Sequence, residues 1–226
     1  MDDVARNAFT TDRTLLDYQR VLGLEFTSHL ASLEPRQHWV DAGAGRAQAI
    51  RDYLESPLFP KKARTTAVAV VRPEDAGIEE AEARFRTFRY LAGAPIEDIA
   101  PRRIGAAHLI TDVYGPLQYS PAIDRVIERY GRLLAPGGRL WTVVPGVTTI
   151  RQDDREVGWG EWLSAVTGLR AEKLPTPGSS ALEIVLVRTR ATMRVPAVAL
   201  IRSVSGPPPL REFALRPAAT RRRRRR

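Results

Sequence analysis

The sequence predicts an α/β domain: a mostly parallel sheet of seven strands, helices on both faces, and an antiparallel hairpin at the end. Three observations carry this. Short runs of small and β-branched residues alternate with helical stretches of about eleven residues, the pattern of strands covered on both faces. The turn after the first strand, Asp41-Ala-Gly-Ala-Gly45, gives up its side chains where such a sheet presents the carboxyl end of a strand. Two late strands, 169–175 and 181–189, are joined by the short loop Thr-Pro-Gly-Ser-Ser, which suits an antiparallel pair.

The elements follow in order. Residues 11–33 place Leu15, Tyr18, Val21, Leu22, Phe26, Leu30 and Leu33 on one helical stripe; Thr11 or Asp12 caps its start and Pro35 follows its end. Residues 38–43 are a short buried strand and 46–56 a helix. A loop with two prolines, 57–64, leads to strand 65–71, helix 76–86 and strand 87–93. Pro95 and Pro101 bracket an irregular stretch before strand 106–115. Residues 122–134 form an amphipathic helix that Ala-Pro-Gly-Gly stops, and 139–146 form the fifth strand. Residues 147–160 read as a connecting loop or lid, and 161–168 as a helix ending on Gly168. After the final hairpin, only 195–202 reads as a further short strand, ahead of a stiff Gly-Pro-Pro-Pro-Leu segment. The expected division is a helical cap over 1–35, the main domain over 36–190, an extension over 191–216 and a disordered arginine-rich tail over 217–226.

Composition narrows the chemistry. A chain of 226 residues with 43% hydrophobic content is long enough to bury one real core. There is no cysteine, which excludes disulfides, thiolate ligands and a thiol nucleophile. The three histidines, His29, His38 and His108, lack the spacing of a zinc site, so no metal is expected. No basic segment followed by an apolar stretch opens the chain and no run of about 18 apolar residues occurs, so the expectation is a cytoplasmic protein without a membrane span. Net charge is +9, but Arg221–Arg226 alone carry six positive charges. Such a run is either a solvated end without a dedicated role or a sequence-independent grip on nucleic acid or another polyanion.

A glycine turn between a first strand and a helix fits dinucleotides, nucleotides and S-adenosylmethionine alike. The dinucleotide fingerprint requires Gly or Ala at its sixth place; here Gly43-Ala-Gly-Arg-Ala-Gln48 puts Gln48 there, which counts against NAD.

The run Asp41-x-Gly43-x-Gly45-x-Ala47 resembles motif I of the class I S-adenosylmethionine-dependent methyltransferases. The stretch Ala-Ala-His-Leu-Ile-Thr-Asp-Val-Tyr-Gly (106–115), the following helix and Leu-Leu-Ala-Pro-Gly-Gly (133–138) are similar to that family's fourth strand, fourth helix and entry to the fifth strand. The 169–189 hairpin resembles its antiparallel sixth and seventh strands, so the likeness spans residues 12–190. It implies a Rossmann-like fold, S-adenosylmethionine as cofactor, and methyl transfer. By the same likeness Asp41, Ala42, Gly43, Ala44 and Gly45 cradle the cofactor's methionine end, and Asp41 orients the loop. The family's acid at the end of the second strand is replaced by Arg72, with Glu74 and Asp75 close behind as substitutes; the arginine also keeps NADP open. After the third strand the acid is displaced to Glu97 or Asp98, with Ile96 as an apolar face for adenine. At the fourth strand Asp112 is the late acid, Tyr114 a wall of the acceptor pocket, and His108 occupies the earlier position; these three are the expected catalytic residues, and Asp112 is also a cofactor contact. No insertion is large enough for a separate recognition domain, which favours a small-molecule acceptor. The alternative implied by the missing acid is a degenerate relative that binds cofactor weakly or not at all and serves as an interaction module. Oligomeric state is not readable.

Overall fold

The computed structural model describes residues 13–145, 148–173, 181–206 and 209–216. The caps expected at Thr11 and Asp12, the 176–180 loop and the 217–226 segment lie outside the described residues.

Helix α1, Leu15–Ala31, starts from Thr14, whose side chain accepts from the Asp17 amide while the Asp17 carboxylate accepts from Thr14. This reciprocal pair caps the helix. Gly23, at φ 79°, interrupts the helical geometry. The chain then runs β1 (His38–Ala42), α2 (Gln48–Glu55), β2 (Arg64–Val68), α3 (Ala76–Arg84), β3 (Phe88–Leu91), a 3₁₀ turn (Ile96–Asp98), α4 (Pro101–Ile104), β4 (Ala107–Val113), α5 (Pro116–Tyr119), α6 (Ile123–Leu133) and β5 (Leu134–Pro145). It continues through β6 (Thr148–Gln152), β7 (Arg155–Val157), α7 (Trp159–Ser164), β8 (Leu169–Lys173), β9 (Ala181–Arg188), β10 (Val198–Val204) and β11 (Leu210–Leu215).

Seven strands form the main sheet in the order β3-β2-β1-β4-β5-β9-β8. Strands β1 to β5 are parallel, and β9 runs antiparallel to both β5 and β8. The expected hairpin is therefore present. The strand order reverses between β1 and β4, and the crevice beyond their carboxyl ends is where open α/β sheets take ligands.

Each face of the sheet has its own core. On one, Tyr18, Leu22 and Phe26 of α1 pack with Trp39, Leu109, Val113 and Trp141. On the other, Val126, Ile127 and Tyr130 of α6 pack with Val40, Ile110, Leu140 and Ile184. Alternation along the strands sends neighbouring residues to opposite cores.

The stretch 147–160 differs from expectation. Thr148–Gln152 and Arg155–Val157 pair antiparallel around Asp153-Asp154, with Asp153 at φ 53°. This hairpin joins β10 and β11 in a second sheet of order β10-β11-β6-β7, where β11 lies parallel to β6. The reason is packing: Ile150, Val157 and Phe213 become fully or almost fully buried against the α6-side core. The 191–216 region contributes two strands, not one short strand.

Candidate functional site

The turn after β1 is held in left-handed geometry by Gly43 (φ 76°), Gly45 (φ 54°) and Ala47 (φ 58°). Ala47 therefore sits outside the helix, and α2 starts at Gln48, two residues later than the apolar pattern suggests. The Gly43 and Ala44 amides donate to the Val68 carbonyl at 2.8 and 3.1 Å, tying the turn to β2. Tyr90 of β3 donates its hydroxyl to the Gly45 carbonyl.

Gly43 has a second constraint. A Cβ there would lie 2.7 Å from the Gly115 Cα and 2.9 Å from Pro116 Cδ. The backbone that Gly43 leaves bare is approached by the turn between β4 and α5. Gly115 is equally confined, by the Ala42 carbonyl and an Asp112 carboxylate oxygen, each 2.7 Å from its notional Cβ.

Asp41 and Asp112 were expected at one ligand, but they point to opposite faces of the sheet. The register pairs Asp41 with Thr111, so Asp112, one residue on, faces the other way. Asp41 is fully buried on the α1 side and accepts from Tyr18 Oη at 2.9 and 3.0 Å and from Thr111 Oγ1 at 2.6 Å. Thr111 in turn accepts from Trp39 Nε1 at 2.9 Å. Burial pushes the Asp41 carboxyl up to about 7, against the pull of these donors.

Asp112 is fully buried on the α6 side. It accepts from the Gly115 amide (2.8 Å), the Leu117 amide (3.0 Å) and Tyr130 Oη (2.7 Å). It satisfies donors at the start of α5, a task backbone amides set at any helix N-terminus. Burial pushes it up to about 6. Tyr114 follows at φ 52°, with the Arg13 guanidinium 5.1 Å from its ring centroid. His108 is not with them. It lies four residues earlier on β4, about 13 Å away at roughly 3.3 Å per residue. Desolvation lowers its pKa.

On the β2–β3 side, Arg72 pairs with Glu82 at 2.7 Å and stacks over Tyr90, 5.2 Å from the ring centroid. Glu74 is exposed, and Asp75 caps α3 through the Gly77 amide at 2.8 Å. Ile96 is buried in the α6-side core. Glu97 is buried beneath Ser120, which donates to its Oε1 at 2.6 Å; its Oε2 is buried with no partner among the described residues. Ala42 and Ala44 are buried behind the turn.

Sequence reasoning missed Arg211. From β11 it donates to the Ser120 carbonyl at 2.6 Å, the Leu117 carbonyl at 2.5 Å and Thr148 Oγ1 at 3.4 Å. It is 4% exposed, and burial lowers its pKa to about 10. The second sheet thus grips the same turn that Asp112 grips from inside. Tyr18 belongs to the apolar stripe of α1, and nothing in its spacing announces a hydroxyl aimed at Asp41. Among the described residues, no group of three or more His, Asp or Glu side chains is placed to hold a metal ion.

The strand order, the glycine turn at the reversal and the antiparallel last strands are those of the class I S-adenosylmethionine-dependent methyltransferase fold. No protein-family model matches the sequence, and no curated protein matches it. Solved structures do match. A TehB-like S-adenosylmethionine-dependent methyltransferase from Corynebacterium glutamicum superposes with a TM-score of 0.53 at 15% identity, over 79% of this chain and 90% of that one. The protein yhhF from Escherichia coli gives 0.50 at 11% identity, over 73% and 82%. The [4+2]-cyclase SpnF gives 0.51 at 14% identity, over 73% and 79%. The fold is shared; it carries more than one chemistry. Among the described residues no helix is long and apolar enough to cross a membrane.

Proposed function

We propose that the protein binds S-adenosylmethionine at the carboxyl edge of β1, β2 and β4 and transfers its methyl group to a small molecule. The observation that carries this reading is the left-handed Gly43–Gly45 turn at the point where the strand order reverses. The positive φ of Gly43 and Gly45 turns the chain sharply at the strand end, where a ligand can lie against backbone. The orphaned Glu97 Oε2 is an acceptor without a donor, and an adenine amine is a fitting one. When bound, the cofactor supplies a sulfonium methyl whose transfer breaks the carbon–sulfur bond and leaves a neutral thioether.

The chain's own residues position. Asp41 acts on the cofactor through the turn, because its carboxylate is engaged by Tyr18 and Thr111. We assign Asp112 the holding of the 115–117 turn, since its close partners are all donors of this chain. Tyr114 sits beside that turn as a wall for the acceptor. Positioning of this kind contributes about 7–11 kcal/mol in favourable cases. His108 has no part in this scheme.

The second reading, a cofactor-free interaction module, is favoured by Arg72, paired with Glu82 where the likeness calls for a ribose-binding acid, and by the Gly43–Gly115 contact. An NADP reading has less support, because Arg72 is already paired with Glu82. Calorimetric titration with S-adenosylhomocysteine, beside NADP, decides among them. Micromolar binding of S-adenosylhomocysteine supports the methyltransferase reading. No binding up to millimolar concentration replaces it with the module.

A further inference from the structure

The net positive charge of this protein comes from one part of the chain. Residues 184–226 contain twelve arginines, no lysine and a single acid, Glu212, whereas residues 1–183 carry 23 basic and 25 acidic side chains. Backbone pairing brings segments that carry part of the excess near one another. The Arg190 amide donates to the Gly168 carbonyl, and Arg194 exchanges backbone hydrogen bonds with Thr167 next door. Three residues past Arg194, the Ala197 carbonyl accepts from the Arg216 amide. Arg190 and Arg194 therefore flank Thr167–Gly168, Arg216 lies at the open base of the β10–β11 hairpin, and all three residues are exposed. Among the described residues, no hydrogen bond or ion pair holds any of the three guanidinium groups. Of the exposed arginines elsewhere, Arg72, Arg84, Arg125, Arg132, Arg155 and Arg170 each contact an acid, whereas Arg36, Arg64, Arg86, Arg102, Arg103 and Arg202 are exposed without one among the described residues. Four residues separate Arg216 from the run Arg221–Arg226, within about 17 Å even fully extended.

We infer that Arg190, Arg194 and Arg216, continued by Arg221–Arg226, bind the phosphate backbone of a nucleic acid without regard to base sequence. Three features select this partner. Unpaired guanidinium groups offer forked donors that match phosphate oxygens. The one aromatic residue of 184–226, Phe213, is fully buried, so no ring is offered for base stacking and base identity goes unread. A lipid surface is the weaker match, because the exposed large apolar residues of this region, Ile201, Val204 and Leu210, lie along the hairpin away from its base, leaving no apolar anchor beside the arginines. This site is independent of the cofactor reading.

The test is fluorescence anisotropy of a labelled, mixed-sequence single-stranded RNA against the full chain, from about 50 to 200 mM salt. Wild type gives a steep log–log salt slope. The variant Arg190→Ser/Arg194→Ser/Arg216→Ser loses about 2 units of that slope, at roughly 0.7 per phosphate contact, and at least about tenfold in affinity. A second variant, Arg221–Arg226 each changed to Ser, loses more. The urea midpoint of the triple variant stays at the wild-type value, because the replaced side chains hold nothing. RNA affinity and slope unchanged in the triple variant overturn the inference, as does tighter retention on phosphatidylserine-doped vesicles than on RNA.

Discussion

Gly43 and Gly115 hold each other in place: a Cβ on Gly43 would come within 2.7 Å of the Gly115 Cα. The glycine turn after β1 and the turn after β4 are one packed unit. Gly43→Ala and Gly115→Ala each insert a methyl against backbone, and Gly43 adds the left-handed penalty at φ 76°. Overpacking of this kind costs about 1–3 kcal/mol, with about 1–2 more for the φ strain at Gly43. Urea denaturation measures it. Gly158→Ala is the control, since nothing lies within 4 Å of its notional Cβ and its φ is −67°. If all three variants unfold at the wild-type midpoint, the packed unit does not exist. The same contact bars Gly43 variants from serving as clean cofactor-binding controls.

Asp41 sets a pH dependence with a definite sign. Its folded carboxyl keeps a proton up to about pH 7, while the unfolded chain releases it near 3.8. Between these values the folded state binds more protons, so stability falls as pH rises from about 4 to 7. Asp112, raised to about 6, acts in the same direction. His29 and His38, both lowered to about 4 by burial, act oppositely, because the unfolded chain takes up their protons first as pH falls below 6.5. The wild-type profile is therefore muted. Asp41→Asn removes one component and exposes the rest. Its stability relative to wild type rises by a few kcal/mol from pH 4 to 8, on the scale of 1.36 kcal/mol per pKa unit. Paired urea titrations at the two pH values measure this; a flat difference refutes the assignment.

The main sheet was legible because its strands alternate with helices and its glycines mark the turn, both local signals. The second sheet was not. Its strands β6 and β11 are joined in space by parallel pairing between residues some sixty positions apart, such as Phe213 with Ile150, and no local pattern records that. The Thr-Thr-Ile-Arg-Gln and Arg-Glu-Val runs around Asp153-Asp154 did carry a hairpin signal. In the site, the placement of Gly43 and Asp41 at the strand end was readable. The opposite facing of Asp41 and Asp112 was readable too, but only with the β1–β4 register in hand. The partners that occupy them, Tyr18, Tyr130 and Arg211, come from elements whose docking the sequence does not encode locally.

Arg211 ties the second sheet to the first. Its guanidinium is the donor for the Ser120 and Leu117 carbonyls, so Arg211→Ala leaves both unpaired in a buried place. At about 1–3 kcal/mol per unsatisfied group the cost is roughly 2–5 kcal/mol. Arg211→Lys keeps the charge without the fork and loses less. Proteolysis under native conditions reads the result: cleavage within 198–215 accelerates in the alanine variant and less so in the lysine variant. Equal cleavage rates in all three proteins would remove Arg211 from this role.

Arg72 offers a gain-of-function test of the cofactor reading. It stands where the class I methyltransferase likeness calls for an acid that accepts from ribose hydroxyls, and a guanidinium has donors only and cannot accept from them. Arg72→Asp restores the acceptor. It forfeits the partly exposed pair with Glu82, which is worth about 0–1 kcal/mol, and the stacking on Tyr90. A carboxylate accepting from a ribose hydroxyl contributes about 1.5–3 kcal/mol, so affinity for S-adenosylhomocysteine tightens about tenfold or more. Arg72→Ala separates the two contributions, since it removes the arginine without supplying an acceptor. Tightening in the aspartate variant alone places the ribose beside residue 72, four residues past the end of β2. Equal tightening in both variants means the arginine merely obstructs the site, and no change in either removes residue 72 from the cofactor's footprint.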